Sequence, residues 1–227
     1  MNFKDKIILI TGASSGLGKA LCLELAKTGC NIIALARHEA GLVKLQKAIE
    51  DLGGRCLAIP FDLSRFDQYQ DLFDALKTQI PHLDGIVHAA GDLNRCTPMQ
   101  YVQAKDFQAM LAIHLTAPNM LTQALLPLLE QAPAAQIIFV SCDMAEQAEP
   151  NWHAYGISKA ALDHAAQMWQ LEHPQKKMCF HVVNPGRMRT ELMRRAYPGL
   201  DPLTIPLPSE AIAPFLAILE KIGLHES

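Results

Sequence analysis

The sequence feature that most constrains the fold is a glycine-rich segment, Thr11 to Gly18, that directly follows a short apolar run and leads into a segment with helical spacing. Glycines at such a place permit a tight turn, a close approach of the backbone to a pyrophosphate and close packing of the helix on the strand. The N-terminus of the following helix then offers N–H groups and a positive dipole to phosphates. Because the segment stands in the strand–turn–helix context that such a site requires, we predict a dinucleotide-binding turn here, with a purely structural glycine turn as the alternative. The residues predicted to contact the cofactor in this turn are Gly12, Ser14, Ser15, Gly16, Leu17 and Gly18.

Short apolar runs alternate with helix-like segments along the chain. The runs are apolar on both faces, as expected for buried parallel strands. They lie at residues 6–10, 30–36, 55–61, 84–90, 135–141 and 177–184. The alternation predicts an α/β fold, a Rossmann-type doubly wound parallel sheet of six strands with helices on both faces, in a single domain over residues 1–227. A seventh strand near residues 223–225 is left open by the pattern.

Two helices can be placed from spacing and helix-capping residues. The longest helical pattern runs from residue 103 to residue 130, and Pro118 predicts a kink inside it. After residue 184 the chain becomes rich in proline. We expect the last helix to begin near Ser209, which is a suitable N-cap after Pro208.

Composition and charge argue against several classes of partner. A net charge of −3 and 6% aromatic residues provide neither a basic surface for nucleic acid nor a platform for stacked bases. The six cysteines show no C-x-x-C spacing, and the nine histidines are not grouped with carboxylates at ligand spacing, so neither a disulfide framework nor a metal site is expected. No signal peptide or membrane-spanning run is recognisable, and we therefore expect a cytoplasmic protein with no membrane partner.

The residue after the second apolar run indicates which dinucleotide is bound. An NAD(H) site needs a carboxylate at this place for the ribose 2′-hydroxyl. Here Arg37 follows the run, with His38 beside it, and a guanidinium suits a phosphate in bidentate geometry. The sequence therefore favours NADP(H) over NAD(H), with a solvated arginine at a strand end as the alternative.

Tyr155 and Lys159 lie four residues apart, which places them on one face of a helix. A free phenol has a pKa of about 10 and is a poor acid–base catalyst at neutral pH. A neighbouring ammonium group favours the phenolate and moves the pKa of the tyrosine toward the working range. The pair is thus a candidate for proton transfer.

The turn T-G-x-x-x-G-x-G and the element Y-x-x-x-K, at their distance along the chain, resemble the short-chain dehydrogenase/reductase family. Residues 121–127 and 151–155 are similar to bacterial oxidoreductases of the YciK type. The resemblance implies that Tyr155 exchanges a proton with a carbonyl or alcohol while nicotinamide exchanges hydride. It implies a small-molecule carbonyl or alcohol substrate, and a homodimer or homotetramer paired through the helices near residues 103–130 and 155–171.

The resemblance extends to further segments of the cofactor site. Asp62 stands where the family's aspartate contacts adenine, His88 to Gly91 resembles the N-N-A-G segment, and Asn184 to Thr190 resembles the P-G-x-x-x-T segment that lines the nicotinamide. The cofactor contacts implied in this way are Asp62, Leu63, Ala89, Ala90, Gly91, Tyr155, Lys159, Pro185, Gly186, Met188 and Thr190.

Two supporting positions depart from the family pattern. Cys142 replaces the serine that orients the carbonyl, and Ser141 could substitute for it only if the strand twists at its end, since alternation points the two side chains apart. His114 replaces the asparagine of the proton relay, and either an altered relay or a packed histidine fits the sequence. These changes motivate an alternative function, an NADP(H)-binding protein of weak or no catalysis that senses the nucleotide or binds a partner. The basic run from residue 188 to residue 195 has two interpretations: it attracts an acidic substrate, or it is a solvated loop.

Overall fold

The computed structural model describes residues 3–175 and 177–222. Within that part of the chain, six strands form one sheet in the order β3-β2-β1-β4-β5-β6, and every neighbouring pair is parallel. The strands are β1 (Ile7–Thr11), β2 (Asn31–Ala36), β3 (Arg55–Pro60), β4 (Gly85–His88), β5 (Ala135–Val140) and β6 (Met178–Val183). The predicted doubly wound sheet is confirmed. The open question of a strand near 223–225 lies outside the described residues.

Helices cover both faces of the sheet. They are α1 (Gly16–Ala26), α2 (Glu39–Asp51), α3 (Tyr69–Lys77), α4 (Ala104–Leu111), α5 (Ala117–Leu129), α6 (Asp143–Glu146), α7 (His153–Glu172), α8 (Glu191–Ala196) and α9 (Ala213–Leu219). In β1, Ile8 and Ile10 join the buried cluster that contains α1, α2 and α9, whereas Ile7 and Leu9 join the cluster that contains α3, α5 and α7. Alternate side chains thus bury both faces, which explains why the strands are continuous apolar runs.

The strand order fixes where a ligand can bind. β1 pairs with β2 on one side and with β4 on the other, so successive connections leave the middle of the sheet in opposite directions. A crevice opens at such a switch point, outside the carboxyl ends of the strands, and it is where open α/β sheets bind ligands. The glycine turn that follows β1 lies in this crevice.

The long helical segment is irregular at a different place from the one predicted. α4 passes into a π-helical turn, Ala112–Thr116, and then into α5, and the Ala117 N–H bonds the carbonyl of Ala112, five residues back. Pro118 lies in the first turn of α5, where its missing N–H is tolerated. The distortion is therefore the wide turn before Pro118, and it carries His114.

The predicted start of the last helix is wrong. Pro208–Glu210 is a single 3-10 turn, and α9 begins at Ala213 with Pro214 in its first turn. The fixed φ of proline suits a first turn, whereas in a helix begun at Ser209 the same residue would lie in the interior and break the hydrogen-bond ladder.

One stretch of the described residues, Pro202–Leu219, has the length and mean hydropathy, 1.4, of a membrane-spanning helix. It is not a continuous helix. Two 3-10 turns, Pro202–Thr204 and Pro208–Glu210, precede the seven-residue α9.

Candidate active site

A cleft of about 320 Å³ lies at the carboxyl ends of the strands. It brings together most of the residues predicted for the site: Gly12, Ser15, Gly16, Leu17, Arg37, Ala89, Ala90, Gly91, Ser141, Cys142, Tyr155, Lys159, Pro185, Gly186, Met188 and Thr190. The other predicted residues, which do not line the cleft, are Ser14, Gly18, Asp62, Leu63 and His114. Of these, His114 and Leu63 are buried, and Gly18 packs beneath the turn.

The glycine turn has the shape that a pyrophosphate requires. Gly12 has φ +67°, and a Cβ there would lie 2.8 Å from the Cα of Ala90; a Cβ on Gly18 would lie 2.6 Å from the carbonyl oxygen of Gly12. The Thr11 hydroxyl accepts a hydrogen bond of 3.0 Å from the Ala90 N–H and joins the turn to the end of β4. Side chains are thus excluded where backbone must approach a ligand.

The first turn of α1 leaves its N–H groups available to that ligand. The N-cap residue, Ser15, makes no side-chain capping hydrogen bond, and no acidic residue stands in the first turn. The first N–H groups of a helix have no partner within it, so this terminus suits phosphates. The residues present therefore fit a dinucleotide.

Arg37 stands at the end of β2 with an exposed guanidinium, 3.4 Å from a carboxylate oxygen of Asp92. Asp62 accepts hydrogen bonds from the N–H and the hydroxyl of Ser64, at 2.9 and 2.8 Å. These bonds, and beyond them the charge of Arg37, hold the pKa of Asp62 below its ordinary value. The arginine and the carboxylate predicted for the adenosine end of the cofactor are thus neighbours.

Tyr155 is buried in α7 beneath two rings. Its ring centroid lies 5.2 Å from that of Trp152 and 4.9 Å from that of His114. Burial raises the pKa of the phenol above its ordinary value, and the Cys142 side chain raises it further. At neutral pH the hydroxyl therefore keeps its proton and can act as an acid.

Lys159 lies one turn beyond Tyr155 in the same helix, and it is buried. Its ammonium donates a hydrogen bond of 2.7 Å to the carbonyl oxygen of Val140, at the end of β5. Burial lowers the pKa of the lysine, while Cys142 and Asp163 act in the opposite direction. The ammonium nitrogen is 6.0 Å from the centroid of the Tyr155 ring, as the spacing predicts. The predicted lowering of the pKa of Tyr155 is wrong, however, because burial raises it.

The two side chains that follow β5 have different surroundings. The Ser141 hydroxyl donates a hydrogen bond of 2.7 Å to a carboxylate oxygen of Asp163. The Cys142 thiol instead interacts with Tyr155, and burial raises the pKa of this thiol although Lys159 opposes the shift. Cys142, rather than Ser141, therefore occupies the position beside the phenol.

His114 is held by the protein on both ring nitrogens. The Asp92 N–H donates to Nε2 at 3.1 Å, and Nδ1 lies 3.1 Å from the hydroxyl of Ser158, which itself donates to the carbonyl oxygen of Tyr155. Because Nε2 accepts, the ring proton is on Nδ1 and is donated to Ser158. Burial, with the charge of Lys159, lowers the pKa of His114 far below its ordinary value. Of the two roles that the sequence left open, these contacts match the packed histidine.

The three arginines in the basic run from residue 188 to residue 195 make different contacts. Arg189 bonds the backbone of residues 205 and 206, at 3.2 and 2.8 Å. Arg194 forms an exposed ion pair with Glu191, at 2.5 Å. Arg195 alone of the three lines the cleft, and its guanidinium lies 2.7 Å from Asp92.

An apolar wall that sequence reasoning missed covers the far side of Tyr155. Leu93, Met144 and Trp152 are buried against the phenol, and Leu192 and Tyr197 pack on them from the α8 side. The only signal in the sequence was the position of Trp152, three residues before Tyr155. The remaining members come from segments distant in the chain, which no local pattern connects.

Comparisons with known proteins agree with this geometry. A family model described as short chain dehydrogenase matches residues 6–200. The uncharacterized oxidoreductase YciK of Escherichia coli is 32% identical over 218 residues, which cover 95% of this chain and 86% of that protein. A solved structure from Pseudomonas syringae, assigned as a short chain dehydrogenase, superposes with a TM-score of 0.94 at 31% identity and covers 98% of this chain and 93% of its own. A structure from Shigella flexneri, also assigned as a short chain dehydrogenase and complexed with NADP, gives a TM-score of 0.91 at 32% identity, with 97% and 94% covered.

Proposed function

This chain belongs to the short-chain dehydrogenase family of oxidoreductases, and from that premise we propose that it uses NADP(H) to interconvert a carbonyl and an alcohol. The observation that carries the proposal is the pairing of Tyr155 with Lys159 in the cleft that also holds the glycine turn and Arg37. A proton donor, a charge that stabilises its conjugate base and a dinucleotide site then share one cavity.

The cofactor assignment follows from the surroundings of each part of the cleft. The turn from Gly12 to Gly18 and the N-terminus of α1 would hold the pyrophosphate, Arg37 the 2′-phosphate and Asp62 the adenine. The nicotinamide end would be lined by the following residues: Tyr155, Lys159, Pro185, Gly186, Met188 and Thr190. The NADP-bound relative from Shigella flexneri supports this choice. NAD(H) is the less favoured alternative, because the residue after β2 is a guanidinium and not a carboxylate.

Hydride for the carbonyl carbon would come from NADPH when it is bound in the cleft. Tyr155 donates its hydroxyl proton to the carbonyl oxygen, and the nearby ammonium of Lys159 stabilises the phenolate that remains. The Cys142 thiol lies beside the phenol, where it can offer the oxygen a weak hydrogen bond. In the oxidative direction the phenolate takes the alcohol proton. The apolar wall of Leu93, Met144 and Trp152 favours substrates that carry an apolar group next to the carbonyl.

The chemistry is tested with Tyr155→Phe, assayed by NADPH oxidation against a panel of aromatic and aliphatic aldehydes and ketones. Loss of the general acid is expected to lower kcat by about a hundredfold or more, while the Kd for NADPH stays within about twofold. Unchanged carbonyl reduction in the variant would overturn the proposed role of Tyr155.

The cofactor choice is tested by calorimetric titration of NADPH and NADH into the wild type and Arg37→Ala. Loss of a charge-assisted contact is expected to weaken NADPH binding about tenfold to a hundredfold and to leave NADH binding nearly unchanged. Arg55→Ala removes another exposed arginine, which is the first residue of β3 and is paired with Asp5. It lies outside the cleft lining and serves as the matched control. Equal weakening of both nucleotides by Arg37→Ala would contradict the assignment.

Cys142 supports one alternative, a protein that binds NADP(H) but catalyses weakly or not at all, with a sensing or partner-binding role. A thiol is a poorer hydrogen-bond donor than a hydroxyl, so Cys142→Ser is the discriminating variant. Under the alternative, this change, alone or with His114→Asn, creates activity in a nearly inactive protein. Under the main proposal the wild type is active, and Cys142→Ser raises kcat by about tenfold or less.

The same proposal extends to assembly and location. We propose a cytoplasmic protein, one domain over residues 1–227, that forms a homodimer or homotetramer through α5 and α7. Exposed apolar side chains on these helices, Met120, Ile157, Met168 and Leu171, support pairing there.

A further inference from the structure

Asp92 lies in the cleft between two arginines that come from opposite sides of it. One carboxylate oxygen is 3.4 Å from the guanidinium of Arg37, at the end of β2, and the other is 2.7 Å from the guanidinium of Arg195, in α8. The aspartate itself follows the segment after β4. Three distant parts of the chain are thus joined across the dinucleotide site by one carboxylate.

Hydrogen bonds to neighbouring groups hold Asp92 in place. Its N–H donates to His114, and its carboxylate accepts a 2.8 Å hydrogen bond from the N–H of Leu93. Its neighbour Gly91 follows Ala90, whose N–H bonds Thr11 at the glycine turn. Burial opposes ionisation of Asp92, but the bonds from Arg195 and Leu93 outweigh burial and the pKa is lowered. The cleft therefore holds a fixed negative charge at neutral pH.

A fixed carboxylate has two effects on an anionic ligand. It occupies guanidinium groups that phosphates would otherwise take, and it repels the phosphates unless a cation compensates its charge. Arg37 is the residue proposed for the 2′-phosphate, and it would leave Asp92 when it binds that group. Arg195 would then be the remaining counter-ion of Asp92.

We propose that Asp92 is an internal competitor of the cofactor phosphates, and that Arg195, by neutralising it, sets the affinity for NADP(H) relative to NAD(H). This inference rests on the proposed function, since it requires a dinucleotide in the cleft. Asp92 and Arg195 are specificity-determining residues in this scheme and take no part in hydride or proton transfer.

The test is a double-mutant cycle, with NADPH, NADH and adenosine 2′,5′-bisphosphate titrated calorimetrically into the wild type, Asp92→Asn, Arg195→Ala and the double variant. Asn keeps an acceptor for the Leu93 N–H and removes the charge. We expect Asp92→Asn to tighten NADPH and the bisphosphate about fivefold, and Arg195→Ala to weaken them about tenfold, with smaller changes for NADH. The double variant should bind NADPH and the bisphosphate about as tightly as Asp92→Asn alone, because Arg195 acts through Asp92. Independent effects would instead leave the double variant about twofold weaker than the wild type.

Two controls keep the outcome specific. Asp106→Asn removes a carboxylate in the first turn of α4 that is bonded to Asn94 and lies outside the cleft. It should leave the binding of all three ligands unchanged. Asp92→Ala serves as the second neutral variant if Asp92→Asn does not fold.

The outcomes separate this inference from the proposed function. In one outcome, the wild type prefers NADPH while Asp92→Asn lowers the affinity for NADPH or leaves it unchanged. That result would overturn the role of Asp92 and leave the proposed function intact. A tenfold loss on adding Arg195→Ala to Asp92→Asn would also overturn it, because Arg195 would then contact the cofactor directly. A wild type that binds neither nucleotide would overturn both proposals.

Discussion

The imidazole of His88 is buried in the middle of the molecule, at the end of β4. It stacks on Phe139 with ring centroids 5.0 Å apart, and Nε2 lies 2.8 Å from the Thr122 hydroxyl. Burial, with the charge of Lys159, lowers the pKa of His88 to about 3. The ring is therefore neutral in the folded protein over the whole neutral and mildly acidic range.

This neutrality makes stability depend on pH. Below about pH 6.5 the unfolded chain binds a proton on this histidine that the folded chain refuses until about pH 3. The free energy of unfolding should thus fall as pH drops through this window, by about 2 kcal/mol between pH 7.5 and pH 5 for His88. The buried His114, whose pKa is also lowered, should add to the fall in the same direction. Urea unfolding at the two pH values measures the difference.

His88→Asn should reduce that difference by about 2 kcal/mol. Thr122→Val, which removes the partner and keeps the histidine, should lower stability at both pH values and leave the difference intact. An equal pH dependence in the wild type and His88→Asn would show that another group is responsible.

Single residues also show what sequence can and cannot reveal about the site. Tyr155 and Lys159 share one helix turn, and Gly12 to Gly18 form one local turn, so spacing alone could identify them. Asp92 was missed because its role depends on Arg37 and Arg195, which are 55 and 103 residues away. His114 was found, but its role depended on which groups contact each ring nitrogen, and only the structure supplies that.

Among the elements, the turn between β1 and α1 depends most on close backbone contact. Gly12 and Gly53 both have positive φ, at +67° and +76°, but a Cβ on Gly12 would meet Ala90, whereas one on Gly53 would meet nothing within 4 Å. The two glycines therefore separate conformational strain from crowding.

Gly53→Ala is expected to lower the free energy of unfolding by about 1 kcal/mol, since an L-residue is strained at positive φ. Gly12→Ala should cost about 1–3 kcal/mol more, because β4 must shift away from the turn, and it should abolish NADPH binding. Chemical denaturation and calorimetry measure both quantities. An equal loss in the free energy of unfolding for the two variants would mean that Ala90 moves away from a Cβ at position 12 without added strain.

Elements were predictable where the pattern was repetitive and unpredictable where a single hydrogen bond decides. The strands follow from apolar runs buried on both faces. The π-helical turn Ala112–Thr116 has no signature in apolar spacing, because one bond from Ala117 to Ala112 defines it. The last helix could begin after Ser209 as its N-cap or with Pro214 in its first turn, and it begins at Ala213. Local sequence preferences do not show which of the two starts has the lower free energy.

For the whole molecule, the proposed assembly surface is the exposed apolar stripe of α7. Ile157, Met168 and Leu171 are 43%, 51% and 80% exposed and are spaced to share one helix face. Leu171→Glu is expected to convert the proposed dimer or tetramer to smaller species in light scattering, because a charge would be buried at the proposed interface. Val43→Glu, at an exposed apolar residue of α2, should leave the mass unchanged. A wild type that is monomeric would contradict the proposed surface.

The position of β1 in the middle of the sheet has a consequence for biosynthesis. Among the six strands, β1 is the first to be synthesised, yet β4, one of its two neighbours, begins only at Gly85. The buried Asp84, which accepts a hydrogen bond of 2.9 Å from the Ile7 N–H, directly precedes β4 and is synthesised just before it. A nascent chain shorter than this would expose the apolar edge of β1 on the side that β4 later covers. The pairing that closes the edge also brings Ala90 against Gly12. A growing polypeptide should therefore lack the cleft until β4 has been synthesised, and a truncated chain that ends before Gly85 should be unable to form it.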